Sequence, residues 1–288
     1  MTVSEQGTRA GVEADINYVR NPPPADATTK LEYVTEAEEH NTMITLPGTP
    51  MWIADGRGLA TDLDREGFQL VHHESAVADF HRIQEDPAVD QQYMDETAAM
   101  LEQLTGAARV FMLGGGKKRY GESATDRLAP LTNAKPARYP HADNTDASAE
   151  ELARMMEMFI PEIDLDGHAR WAMYNVWRAI SPPPQDFPLA VCDAQSFTSA
   201  DEVTVTAITE ERNSGDIVHD TVGYVHNPAH RWYYFPDMTI DEVIVFKSGD
   251  SDPTRAVRVA HTAFTDPTCP PGVPTRASVE MRALALFD

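Results

Sequence analysis

The chain has 288 residues, of which 42% are hydrophobic and 24% charged, enough for one sizeable core. Acids outnumber bases by 46 to 23, and a formal net charge of -23 repels phosphate backbones and argues against nucleic acid as a partner. Two cysteines make no disulfide framework, the first residues lack the pattern of a signal peptide, and no apolar run reaches the roughly 18 residues of a membrane span, so the expectation is a cytoplasmic protein with free thiols and no membrane partner.

Residues 1–30 are polar and include Pro22-Pro23-Pro24, which predicts an extended arm. Residues 31–288 read as one domain, since no linker or internal repeat interrupts them. The alternation Met43-Ile44-Thr45-Leu46 predicts β structure. Residues 64–71 predict a turn leading into a strand that ends at His72-His73. Neighbours in a strand face opposite ways, so this pair reads as surface or packing rather than as a metal site. Residues 75–105 carry Tyr93, Ala98, Met100, Leu101 and Leu104 at helical spacing, with an interruption near Pro87. Residues 110–113 predict a short buried strand. Gly114-Gly115-Gly116-Lys117-Lys118 lacks the spacing and the hydroxyl of a phosphate loop, and reads as a turn or loop.

A second helix is expected to run to about Phe159, before Pro161, capped by Asp146 or Ser148. Leu152, Met155, Met156 and Phe159 form its apolar stripe. From Arg170 onward the chain is nearly all β. Short strands recur at 171–180, 189–193, 202–210, 222–226, 231–235, 243–247, 257–264 and 275–287, with turns between, among them Asn213-Ser214-Gly215-Asp216. The runs 222–226 and 231–235 read as two antiparallel strands. The fold class is therefore mainly β with flanking helices, a double-stranded β-helix (jelly roll, cupin-like) with a helical buttress at 75–105 and 146–160.

His141 and Asp143 stand two apart, so an extended backbone puts both side chains on one face. His261 follows the apolar run Val243-Ile244-Val245-Phe246 and precedes Arg276. Two imidazoles and one carboxylate leave the far side of a metal open, the donor set of non-haem Fe(II) oxygenases. His226 and His230 compete with His261 for the second imidazole, and the absence of any metal is the third reading. Arg276 and Ser278 share a face of the last strand and suit the far carboxylate of 2-oxoglutarate. A surface ion pair is the plainer reading of Arg276, and Arg282 is a competitor on the same parity. Arg178 is the next candidate for the cofactor carboxylate. Met173, Asn175, Trp177 and Tyr233 are candidates for the substrate pocket, with Trp177 equally suited to plain core.

Six motifs stand in order: Asn175-Val176-Trp177-Arg178, then Pro188-Leu189-Ala190-Val191-Cys192-Asp193, then Arg231-Trp232-Tyr233-Tyr234-Phe235-Pro236-Asp237-Met238, then Asp241-Glu242-Val243-Ile244-Val245-Phe246-Lys247, then His261-Thr262-Ala263-Phe264, and last Arg276-Ala277-Ser278-Val279-Glu280-Met281-Arg282. Together they resemble the family that holds the cephamycin 7α-methoxylation component, the fungal hydroxylase/desaturases of aspergillic-acid type and a fungal meroterpenoid endoperoxide synthase. The resemblance covers about residues 100–287. It implies Fe(II) at His141, Asp143 and His261, 2-oxoglutarate at Arg276, and a small specialised metabolite and O2 as partners. A homo-oligomer stays open. So do two other classes: a non-catalytic binding or partner component of a two-protein tailoring system, and a jelly-roll Zn hydrolase.

Overall fold

The computed structural model describes residues 10–20, 32–34, 43, 47–121, 135–209 and 216–288. The strands are β1 (Gly11–Ile16), β2 (Glu32–Val34), β3 (Thr49–Asp55), β4 (Phe68–His72), β5 (Arg109–Met112), β6 (Lys117–Tyr120), β7 (His141–Ala142), β8 (Arg170–Ala179), β9 (Leu189–Cys192), β10 (Glu202–Thr209), β11 (Ile217–Tyr224), β12 (Trp232–Tyr234), β13 (Glu242–Asp250), β14 (His261–Ala263) and β15 (Ala277–Phe287). They form a nine-stranded sheet in the order β1-β3-β12-β9-β14-β7-β11-β10-β2. A six-stranded sheet runs β4-β13-β8-β15-β5, with β6 also paired to β15. Trp177, Leu189, Val191, Tyr233, Ile244 and Phe246 come from both sheets and pack as one cluster between them. This is the expected jelly roll. Alternation along each strand sends one set of side chains into that space and the other set outward.

The outward set of the six-stranded sheet is also apolar, because a helix covers it. Val176, Val245, Met281, Ala283 and Ala285 pack under Tyr93, Met100 and Leu101 of α1 (Pro87–Thr105). The helix starts later than the spacing suggests. Asp86 caps it by accepting from Ala88 N–H, and Pro87 occupies its first turn, where no donor is needed. Helix α2 (Asp146–Phe159) is capped by Thr145 rather than by Asp146 or Ser148, and Ser148 closes the reciprocal capping box. Its buried residues are Ala149, Ala153 and Met156, packed on Met173, Leu284 and Leu286. Met155 and Phe159 of the expected stripe face solvent, at 49% and 74% exposure, so the stripe is rotated toward the small residues.

Four further expectations change. Gly11–Ile16 lies inside the segment read as an arm, yet it pairs with β3 and buries Val12, Ala14 and Ile16. The glycine turn leads at once into β6, where Lys118 is buried and donates to Glu85 at 2.7 Å. Strands β11 and β12 do not pair with each other: β11 lies between β10 and β7, and β12 between β3 and β9. Strand β13 continues to Asp250, whose carboxylate holds the buried Lys247 ammonium together with Asp64. The expected β run 44–46 and turn positions 213–215 lie outside the described residues. No helix among the described residues is long and apolar enough to cross a membrane.

Candidate active site

Strand β7 is only two residues long, but it sits in the middle of the nine-stranded sheet. His141 pairs in register with His261 of β14 on one side and with Gly223 of β11 on the other. The two imidazoles therefore stack side by side, ring centroids 4.2 Å apart. Asp143 follows on the same face. Ligand atoms of His141, Asp143 and His261 all lie within 4.8 Å of one another.

Both imidazoles are oriented the same way. His141 Nδ1 is 2.9 Å from the Tyr139 carbonyl, and His261 Nδ1 is 3.2 Å from the Val259 carbonyl. Each Nδ1 must then carry the proton, which leaves each Nε2 as a free lone pair. Burial, with the neighbouring His261, pushes the His141 imidazole down to about 4. Burial pushes His261 down as well. Burial alone would raise the Asp143 carboxyl, but the Arg282 guanidinium, the two imidazoles and the Asn175 amide outweigh it and hold it well below the usual carboxylate range. Two neutral imidazoles and an ionised carboxylate are the protonation states a divalent cation needs. The donor set and spacing fit a metal, and nitrogen with carboxylate suits non-haem Fe(II).

Arg276 opens into the same pocket and is 2% exposed. Its Nε donates to the Phe187 carbonyl at 2.8 Å, and its Nη1 donates to Ser278 Oγ at 2.6 Å. The guanidinium carbon lies 5.7 Å from the centre of the Trp177 ring. No carboxylate forms an ion pair with it among the described residues, and burial pushes it down to about 10. A buried guanidinium without an acid partner is a site built for an anion. Together Arg276 and Ser278 can donate hydrogen bonds to a carboxylate. The pocket encloses ≈ 480 Å³ of space between atoms, open solvent included, and Trp177, Leu189 and Ala263 supply its apolar lining.

The structure separates the remaining candidates. Asn175 reaches the site, but it faces Asp143 rather than open space, with Nδ2 donating to Asp143 Oδ2 at 2.5 Å. Trp177 lines the pocket. Arg178 does not. Its side chain leaves the opposite face of β8, donates from Nε to Tyr93 Oη at 2.9 Å and from Nη1 to the carbonyls of His73 and Ile240, and stacks on Phe80. Met173 shares the parity of Asn175 but lies further along, under α2. Tyr233 is packed in the inter-sheet core against Phe68. His230 is tied to the Tyr18 hydroxyl at 3.0 Å, with His226 edge-on to the same ring, and neither joins the His141 cluster.

Four residues of the site have roles that motifs alone do not assign. Arg282 donates to Asp143 Oδ1 at 2.9 Å and to Glu280 at 3.1 Å. Arg119 and Glu280 line the pocket. His219 lies on β11 near Asp143 and Arg282, and its buried Nδ1 has no partner among the described residues. Parity with Arg276 and Ser278 is a usable signal for Glu280 and Arg282. Arg119 and His219 come from strands whose partners no local pattern announces.

Comparison with known proteins agrees with this geometry. The family model described as oxidoreductase/YMDC permease-like domain matches residues 16–286. The hydroxylase/desaturase efuI of Hormonema carpetanum is 31% identical over 241 residues, covering 78% of this chain and 79% of its own. The Fe(II)/2-oxoglutarate-dependent dioxygenase nvfI of Aspergillus novofumigatus is 27% identical, over 96% of this chain and 98% of its own. A solved structure of the iron and alpha-ketoglutarate-dependent endoperoxidase NvfI superposes with a TM-score of 0.79 at 27% identity, covering 97% of this chain and 99% of that one. Fold, donor set and relatives converge: the chain belongs to the family of Fe(II)/2-oxoglutarate-dependent dioxygenases and hydroxylase/desaturases.

Proposed function

We propose that this protein oxidises an unactivated C–H bond of a small specialised metabolite, by hydroxylation or desaturation, with Fe(II), 2-oxoglutarate and O2. The observation that carries the reading is the convergence of His141, Asp143 and His261 within 4.8 Å, in a pocket that also exposes the buried Arg276. In this reading the Nε2 atoms of both histidines and one oxygen of Asp143 hold the iron. Arg276 and Ser278 bind the distal carboxylate of 2-oxoglutarate. Iron and 2-oxoglutarate, when bound there, would activate O2, the oxidant, with 2-oxoglutarate giving up two of the electrons and the substrate C–H bond the other two.

The chain's own residues bind, orient and exclude. Arg276 provides charge and a planar fork at a fixed distance from the histidines, and its bond to the Phe187 carbonyl keeps the fork aimed. Trp177 and Leu189 keep bulk water from the buried charges, which strengthens every interaction there. The Tyr139 and Val259 carbonyls fix the tautomer of each imidazole.

The test is anaerobic titration of the Fe(II)-loaded protein with 2-oxoglutarate. Weak visible absorption should develop and saturate at one equivalent, and Arg276→Ala should demand far more 2-oxoglutarate for the same signal. No absorption in the wild-type protein, or hydrolytic activity with zinc and without O2, would discard the reading.

A further inference from the structure

Asp143 is held from two sides by residues that are themselves partners. Asn175 of β8 and Arg282 of β15 stand opposite each other in the ladder between these strands. Both side chains face the site. Asn175 Nδ2 donates to Oδ2 at 2.5 Å, and Arg282 Nη2 donates to Oδ1 at 2.9 Å. His141 Nε2 lies 3.9 Å from Oδ1. Oδ1 is therefore the oxygen within reach of His141 Nε2, and Oδ2 is the one taken up by the Asn175 amide.

The amide has a fixed sense. Turned around, it would set its oxygen against an ionised carboxylate, so Asn175 must present Nδ2 to Asp143. Its Oδ1 is then left buried with no partner among the described residues, although the residue is fully buried. An unpaired buried acceptor weakens the fold, and a hydrophobic residue of similar volume would pack here without that penalty. The position is held by what Nδ2 does.

We propose that Asn175 and Arg282 are positioning residues that hold Asp143 to ligation through one oxygen. A carboxylate oxygen has two lone-pair directions. Arg282 occupies one on Oδ1 and leaves the other aimed between the imidazoles, while Asn175 withdraws Oδ2 from the metal. The carboxylate then takes one coordination position instead of two. Arg282 is itself kept in place by Glu280. The inference rests on the reading of His141, Asp143 and His261 as metal ligands.

The experiment uses the full chain, stripped of metal, with Mn(II) for affinity and Co(II) for its visible spectrum. Asn175→Leu, Asn175→Ser and Arg282→Met should each weaken Mn(II) binding by about 10–100-fold. Each should also change the Co(II) bands, which report the number and kind of ligands. Arg282→Lys should recover part of the affinity and the wild-type bands. Asn175→Ser serves if the leucine variant does not fold. A merely structural role would lower the unfolding temperature of the metal-free protein and leave the Co(II) spectrum unmoved. Wild-type affinity and spectrum in the asparagine and arginine variants, with binding lost in His141→Ala, would overturn the proposal and leave the metal site standing. Wild-type binding in His141→Ala would overturn the metal site and the proposal together.

Discussion

Trp177 and Arg178 are neighbours in β8, yet their side chains leave the sheet in opposite directions. Trp177 lines the pocket with its ring 5.7 Å from the Arg276 guanidinium carbon, whereas Arg178 lies against Phe80 and Tyr93, on the face that α1 covers. Two buried arginines thus have separate tasks, and substitution should separate them.

Arg276→Ala should raise the apparent KM for 2-oxoglutarate by roughly two orders of magnitude or more, since breaking a buried charge pair costs about 3–5 kcal/mol. Iron affinity should change little. Lysine should restore only part of the effect, because it carries charge without the planar fork. Arg178→Ala should leave that KM unchanged and lower stability instead, by about 2–4 kcal/mol, since four protein acceptors lose their donor. Steady-state assays of 2-oxoglutarate consumption alongside thermal unfolding distinguish the two. A KM effect from Arg178 with none from Arg276 would reverse the assignment.

His141→Ala and Asp143→Ala should each abolish tight Fe(II) binding while the β-sheet circular dichroism persists, as each removes one of three donors. Calorimetric titration checks this. Stoichiometric iron in both variants would mean that the metal lies elsewhere.

The histidines should divide by location. His261→Ala should lose activity. His226→Ala and His230→Ala should keep it, although His230→Ala should destabilise the fold by about 1–3 kcal/mol, since the buried Tyr18 hydroxyl keeps only its bond from Trp232 Nε1. Turnover and unfolding of the same three variants give the answer, and the reverse order of activities would move the second imidazole upstream.

Acid should weaken the metal-free protein before its carboxylates titrate. His141, His230 and His261 are all depressed below the ordinary value of 6.5, by burial first of all, and His141 reaches about 4. Between 6.5 and 4 the unfolded chain binds more protons at these positions than the folded one, so stability is full above 6.5 and falls as pH drops through that window. Charging His141 alone disfavours the fold by roughly 3 kcal/mol. Denaturant melts from pH 8 to pH 4 should show the decline, and His141→Gln should flatten it. A curve that is flat over this range in the wild type contradicts the buried neutral imidazoles.

Much of the site could be read from local spacing. His141 and Asp143 two apart need only an extended backbone, and Ser278, Glu280 and Arg282 share one parity of the long β15, which Arg276 just before it continues. What spacing does not supply is position along that strand. Arg276 and Arg282 look interchangeable in the sequence, but β15 carries one to the pocket beside Ser278 and the other to Asp143. Arg178 falls outside the pocket although it sits one residue from Trp177, because one step in a strand is a change of face. The α2 stripe turns for a related reason: Met155 and Phe159 look like core, but Ala149 and Ala153 pack on the sheet instead. Pairing partners of β11 and β12 are contacts remote in sequence, and no run of residues encodes them alone.

Strand β7 has two residues and no ladder of its own to stand on. It exists because β11 and β14, both far downstream, close on either side of it, and the arginine that holds Asp143 is 139 positions away. Such a strand is assembled late, after long loops have been closed at an entropic cost. A nascent or truncated chain that ends before His261 lacks β14 and β15, and of the three donors it offers iron no more than a single imidazole and a carboxylate. Iron loading then becomes a reporter of completed folding, and a chelator should speed the loss of the native sheet from its centre rather than from its edges.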